Sequence, residues 1–241
     1  LARECFAVVV RLIGAIFYVY APYHALDIYV RGAMNELWGL AWFPGIFWAT
    51  YKLIKEGKKE FIAILAFFWG LLFTSHNGMV MIFTPIFAVW MVFLLFYFKK
   101  WSVIKKLFFA GLWAVGLAAF FFIPMLLEKK FAHTETLVIG YFNYLAHFAD
   151  LNQMFISRFW GYGASLWGPQ DDMAFSVGHL HWIISLLVTL FSVFMLWRAK
   201  AWKKWRQKKN LVWWVILIFA AISLGSCFMA HYKSVVIWQK I

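Results

Sequence analysis

The sequence predicts an all-α, polytopic membrane protein with about seven transmembrane helices and one long extracytoplasmic loop. Three observations lead there. First, the 241 residues are 65% apolar and 22% aromatic, whereas a soluble domain sits near half apolar. Second, the apolar residues gather in runs of about 20, the length at which a helix crosses a hydrocarbon core. Lipid offers the backbone no hydrogen bonds, so open strands are excluded and the runs are helical. Third, charge is sorted by loop, as a membrane topology requires.

The runs are approximately 5–21, 37–54, 61–75, 79–98, 107–126, 182–198 and 211–230. Pro22 ends the first, and residues 21–36 form a short interfacial connector. Ser75-His76-Asn77-Gly78 makes a tight polar turn between the third and fourth, with Gly78 permitting the reversal. Pro124 bends or ends the fifth. Residues 127–181 form the long loop between the fifth and sixth, and the other loops are short and basic. No repeat or low-complexity linker divides the chain, so 1–241 reads as one transmembrane helical domain. It opens with Leu1 and no leader precedes the first run, which suggests a piece of a longer protein.

Seven alternating spans put Lys52, Lys55, Lys58, Lys59, Lys99, Lys100, Lys105 and Lys106 on one side. The basic residues from Arg198 to Lys209 fall there too. The positive-inside rule makes that side cytoplasmic, and a miscounted span would have scattered these loops. The opposite side then holds all seven histidines and all four aspartates. It also holds Glu36, Glu128 and Glu135, with Arg31 and Arg158 among its few cations. Translocation explains the missing lysines on that side but not the histidines.

The net charge of +13 is therefore a topology signal, and anionic lipid head groups rather than nucleic acid are its partner. Cys5 and Cys227 fall near opposite membrane faces, too far apart to bridge. They read as packed, inert thiols. Arg11 sits near the cytoplasmic end of its run, where snorkelling is the default.

Four outer segments can carry chemistry. In residues 20–36, Asp27 and Arg31 are four apart and share a helix face, and Glu36 stands where a carboxylate favours a helix start. An interfacial connector with a tyrosine belt reads equally well there. In the 75–78 turn, His76 and Asn77 can donate to a phosphate or sugar hydroxyl, although any helical hairpin needs polar residues. At the mouth of the fifth span, Glu128 with Lys129 and Lys130 reads as a solvated helix end. In 158–181, Trp160, Tyr162 and Trp167 offer flat faces for sugar rings, and Arg158 offers a cation.

Within that last segment, Asp171 and Asp172 can bind a hard divalent cation, Mg²⁺ or Mn²⁺, or cap a helix starting near Met173. His179-X-His181 supplies two metal-type ligands without a third nearby, or an interfacial pair. The candidates for acid–base work are Asp27, Glu36 and His76. Those for substrate are Arg31, Asn77, Arg158, Trp160, Tyr162 and Trp167, and those for metal are Asp171 and Asp172.

Tyr20-Ala-Pro-Tyr-His, Asp27-Ile-Tyr-Val-Arg-Gly and the run on to Glu36 resemble a bacterial and archaeal family of large polytopic membrane proteins. These are often labelled 6-pyruvoyl-tetrahydropterin synthase-related. Ser75-His76-Asn77, Pro124–Glu128 and the Trp160-Gly-Tyr-Gly loop ending in Gly178 follow in the same order, over nearly the whole chain. The soluble zinc chemistry in that label has no counterpart in these residues. The family looks like part of the GT-C superfamily of integral membrane glycosyltransferases. The resemblance implies a polyprenyl-phosphate-linked sugar donor, a glycan acceptor and transfer at the outer face of a bacterial or archaeal cytoplasmic membrane. It also implies that the usual acidic motif of the first outer loop would precede Leu1. A transporter or flippase of lipid-linked sugar, and a non-catalytic glycan-assembly subunit, remain the alternatives.

Overall fold

The computed structural model describes residues 2–131, 140–166, 168, 171–200, 207 and 210–240. Among them there is no strand, only an isolated antiparallel bridge between Tyr162 and Met173. Helices cover every apolar run: α1 (Ala2–Val19), α3 (Met34–Glu56), α4 (Glu60–Ser75), α5 (Asn77–Phe98), α6 (Ile104–Leu117), α7 (Ala119–Glu128), α9 (His179–Arg198) and α10 (Leu211–Ala230). The short helices α2 (Pro22–Ala25), α8 (Leu151–Phe155) and α11 (Val235–Trp238) lie between or after them.

Among the described residues, three helices are by themselves long and apolar enough to cross a membrane: α5, α9 and α10. The number rises to five if two bent pairs each count as one span. One pair is Val8–Val19 with Pro22–Val30, bent by 49°, and the other is Trp101–Leu117 with Ala119–Phe131, bent by 67°. An integral membrane protein is the architecture these helices fit.

The bend in the fifth run is not at Pro124, which lies inside α7. It is at Ala118, where φ −93° and ψ 6° leave the helical basin. Ala118 lies six residues before Pro124, beyond the carbonyl four residues back on which a proline ring acts.

The backbone falls into two compact units, Ala33–Thr136 and Leu1–Gly32 with Leu137–Ile241. In the 33–136 unit, α3 packs on α4 and α5, and α4 packs on α6. Small residues set the spacing, as expected where lipid removes the hydrophobic drive between helices. A Cβ on Gly39 would press on the Met79 side chain, one on Gly45 would strike the Phe68 ring, and one on Gly70 would meet Leu117. The core centres on Phe83, stacked on Phe43 with ring centroids 4.0 Å apart and flanked by Phe47 and Trp69. Ile46, Leu53, Leu65, Leu72 and Leu94 complete it.

One end of this unit is basic. Lys100 donates to the Lys55 carbonyl and Lys106 to the Gly57 carbonyl, so lysines from one connection close the last turn of α3 at another. That satisfies carbonyls which a helix end otherwise leaves open. Glu56 there pairs with Lys52 at 2.6 Å and Lys58 at 3.4 Å. Glu36 lies 20 residues earlier on the same helix, about 30 Å away at 1.5 Å per residue. Glu36 and the lysines Lys52 and Lys55 thus lie toward opposite ends of α3.

In the other unit α9 packs on α10, and Gly178 is the residue at the N-cap of α9. Gly178 has φ +93°, and a Cβ there would strike Pro22. His181 Nε2 donates to the Phe17 carbonyl at 2.9 Å and Trp182 Nε1 to the Phe155 carbonyl at 3.0 Å. Ala149 N–H donates to the Ala230 carbonyl at 2.9 Å, tying the loop to the end of α10.

Candidate functional site

Residues 20–36, a single segment in sequence, are divided at Gly32, whose φ of +61° lies in the left-handed region. Asp27 and Arg31 stay with the first unit, and Glu36 opens the second. Before the break, Leu26–Val30 forms a π-helical turn closed by Arg31 N–H on the Leu26 carbonyl. Such turns are rare and recur at functional sites.

Arg31 Nη1 lies 2.8 Å from Asp27 Oδ1 and 2.8 Å from the Tyr23 hydroxyl. The Asp27 side chain is fully enclosed, while that of Arg31 is 30% exposed. His24 packs edge-on against Tyr18, with centroids 5.0 Å apart. The cluster is closed around its acid, so the geometry is that of a held ion pair. A substrate cannot reach Asp27 without moving Arg31.

The second cluster is looser. Glu36 is in the first turn of α3, where the exposed N–H groups favour a carboxylate. His76 ends α4 and caps α5 in extended conformation, φ −160°, with Nδ1 accepting from Met79 N–H at 3.2 Å. While that bond stands, the other ring nitrogen carries the proton. That nitrogen, Nε2, faces Glu36 Oε1 at 4.0 Å. The His76 side chain is 39% exposed and that of Glu36 14%.

Gly78 does not make the reversal. His76 does, and Gly78 is needed because a Cβ there would strike the His76 ring. Beside the pair, Asn77 Nδ2 contacts Met125 Sδ at 3.4 Å, and Trp42 Nε1 donates to Ser75 Oγ at 3.0 Å. Trp38 stacks on Trp42, with centroids 5.4 Å apart. Sequence reading singled out the segments that hold Ser75 and Met125 but not these contacts, and it missed Trp42. Only a four-residue turn docked against a tryptophan-rich helix start would have pointed to them.

In the loop of the first unit, Arg158, Trp160 and Tyr162 are exposed, and the two rings meet edge-on at 6.4 Å. Trp167 lies outside the described residues, as do His133 and Glu135. The glycines of Trp160-Gly-Tyr-Gly serve a close backbone approach. Gly163 N–H donates to the Asp172 carbonyl at 3.1 Å, Asp172 N–H to Ala164 at 3.3 Å, and a Cβ on Gly161 or Gly163 would collide with Asp172.

Asp171 is also occupied. Gln153 Nε2 donates to Oδ2 at 2.8 Å and Met173 N–H to Oδ1 at 3.1 Å. No helix begins near Met173; the next starts at His179, so Asp171 caps a turn instead. Among the described residues, no three His, Cys, Asp or Glu gather as a metal site. Asp171 and Asp172 alone do not make the donor set that a hard cation needs.

The histidines have a common use. His147, His179 and His181 each donate through Nε2 to a main-chain carbonyl, of Tyr141, Ile156 and Phe17. His76 and His231 each accept a main-chain N–H at a helix start. His179 and His181 bond different segments, so they are not a converging metal pair. A two-ended polar ring suits a face where chain ends and loops leave backbone groups to satisfy.

No protein-family model, no curated protein and no solved structure matches the chain.

Proposed function

We propose that the chain is an integral membrane glycosyltransferase of the GT-C type, with seven spans, which transfers a sugar from a polyprenyl-phosphate-linked donor at the extracytoplasmic face. The observation that carries this reading is the Glu36–His76 pair, at the end of its helical unit away from the lysines. In this reading Glu36 takes the proton from the acceptor hydroxyl as its oxygen attacks the anomeric carbon. His76 stands beside Glu36 at 4.0 Å, longer than a hydrogen bond, and the Asn77 amide donates to a sugar hydroxyl. The bond from the anomeric carbon to the phosphate oxygen breaks, and the leaving phosphate needs a cation. A glycan acceptor and a lipid-linked donor are the implied partners, in a bacterial or archaeal cytoplasmic membrane with the basic loops inside.

The test is transfer of radiolabelled sugar from polyprenyl-phosphate donors by the purified protein, with Mg²⁺ or Mn²⁺ supplied. Transfer that Glu36→Gln abolishes supports the reading. No turnover of any such donor would remove it.

One observation favours a second reading, a transporter or flippase of lipid-linked sugar. The 67° break at Ala118 divides an apolar run, and transporters use discontinuous helices at substrate sites. Pro44 and Pro85, by contrast, lie inside helices that continue through them. Uptake into proteoliposomes that depends on residues flanking Ala118 would select this alternative.

A further inference from the structure

Between α4, α5 and α6 the 33–136 unit leaves a groove of about 560 Å³, a volume typical of sites for small ligands. Trp69 and Phe73 of α4, Phe87 and Met91 of α5, and Ile104 and Phe108 line it. No charged residue does. The one hydroxyl in the wall, Thr84 Oγ1, donates to the Val80 carbonyl of its own helix at 2.7 Å, so its proton is not offered inward. A polar ligand would leave its groups unpaired there. A hydrocarbon chain would not.

Open space also lies beside a glycine in the groove wall. Gly111 is part of its wall, and a Cβ built on it meets nothing within 4 Å. Glycine is disfavoured in a helix interior, and here its absent side chain leaves room for a guest.

One end of the groove fixes what kind of hydrocarbon fits. It reaches Trp101 and Ile104, within a segment, 99–106, that has four lysines and no acid. Lys100 and Lys106 are spent on carbonyls at the end of α3. Lys99 and Lys105 are exposed and form no ion pair among the described residues. Paired apolar wall and cationic rim match a lipid with a negative head group.

The geometry points to a bound anionic phospholipid, with one acyl chain along α5 and α6 and its phosphate at Lys99 and Lys105. The groove runs from the lysine-bearing end to Phe73, one turn before His76, and its lipid does not depend on the transferase reading. An uncharged-headgroup lipid would fill the wall but not use the lysines.

The test uses the full chain in lipid nanodiscs with phosphatidylglycerol or phosphatidylcholine carrying a photoreactive acyl chain. The phosphatidylglycerol probe is expected to label peptides containing Met91, Leu95 and Leu107. Gly111→Phe fills the groove and should cut that labelling by about tenfold, the effect of losing one well-buried chain segment. Gly116→Phe is the control, because Gly116 also has open space but is not in the groove wall. Should Gly111→Phe fail to fold, Met91→Trp carries the same test. Lys99→Gln with Lys105→Gln should abolish the preference for phosphatidylglycerol. Equal labelling by both probes, or labelling that ignores Gly111→Phe and Met91→Trp, overturns the assignment. So does displacement by polyprenyl phosphate but not by unlabelled phosphatidylglycerol, which would give the groove to the isoprenoid lipid.

Discussion

Asp27 and Glu36 are nine residues apart in one outer segment, yet they end in opposite circumstances. Asp27 is enclosed on a π-helical turn with Arg31 and Tyr23 closed over it. Glu36 stands at a helix start, partly open, with a histidine 4.0 Å away that is already committed on its other nitrogen. The first arrangement stabilises a charge by enclosing it, and the second keeps a carboxylate within reach of solvent. Carboxylates of equal standing in sequence therefore end in different settings, one inside a closed ion pair and one at a partly exposed helix start.

The sharpest way to break that comparison is activity. Glu36→Gln is expected to lower sugar transfer by about 100-fold or more, the usual effect of losing a general base, while leaving thermal unfolding in detergent nearly unchanged. Asp27→Asn should do less to turnover than Glu36→Gln does. The reverse ranking would move the chemistry to the enclosed acid.

Stability should rank the other way. Asp27→Leu leaves a half-buried guanidinium without its carboxylate. The cost is about 2 kcal/mol, below the loss for a fully buried pair because Arg31 keeps some water. A melting temperature equal to the parent's would show that Arg31 finds another acceptor.

His76 bears on both activity and stability, and a pair of substitutions separates them. His76→Ala removes the cap on Met79 N–H and should cost about 1 kcal/mol. His76→Asn restores the cap and should recover that stability, but not the transfer rate, since the ring facing Glu36 is gone. Recovery of both would make His76 a cap and nothing more.

The smallest effect is expected at the basic end. The Lys52 hydrogen bond, with Lys58 beyond it, holds the Glu56 carboxyl below its ordinary value of 4.5. Glu56 lies outside the apolar run 37–54. A depressed folded pKa contributes stability above the unfolded value, and the contribution is lost as pH falls through the lower, folded one. Melting curves below pH 4.5 should therefore fall slightly less for Glu56→Gln than for the parent.

The two units differ in burial as well. α5 buries Met79, Phe83, Trp90, Leu94, Leu95 and Tyr97, whereas α9 buries only Ser192 and Leu196, and α10 has no buried residue. All three are apolar enough to span. Hydropathy cannot tell them apart, because leucine against lipid and leucine against a helix read alike in sequence.

The sequence by itself determined the helices and their approximate ends. Those follow from composition along the chain and from local pattern, which need no partner. It also placed Asp27 opposite Arg31, since four residues is one helical turn. The tertiary structure decided the rest. The Gly32 break assigned Asp27 and Glu36 to different units, and the packing of α3 against α5 brought Glu36 to His76 across 40 residues of chain. It also turned the metal-like pair His179 and His181 toward separate carbonyls. These outcomes depend on which helix faces meet and which backbone groups lack partners, and neither is written in the order of the residues.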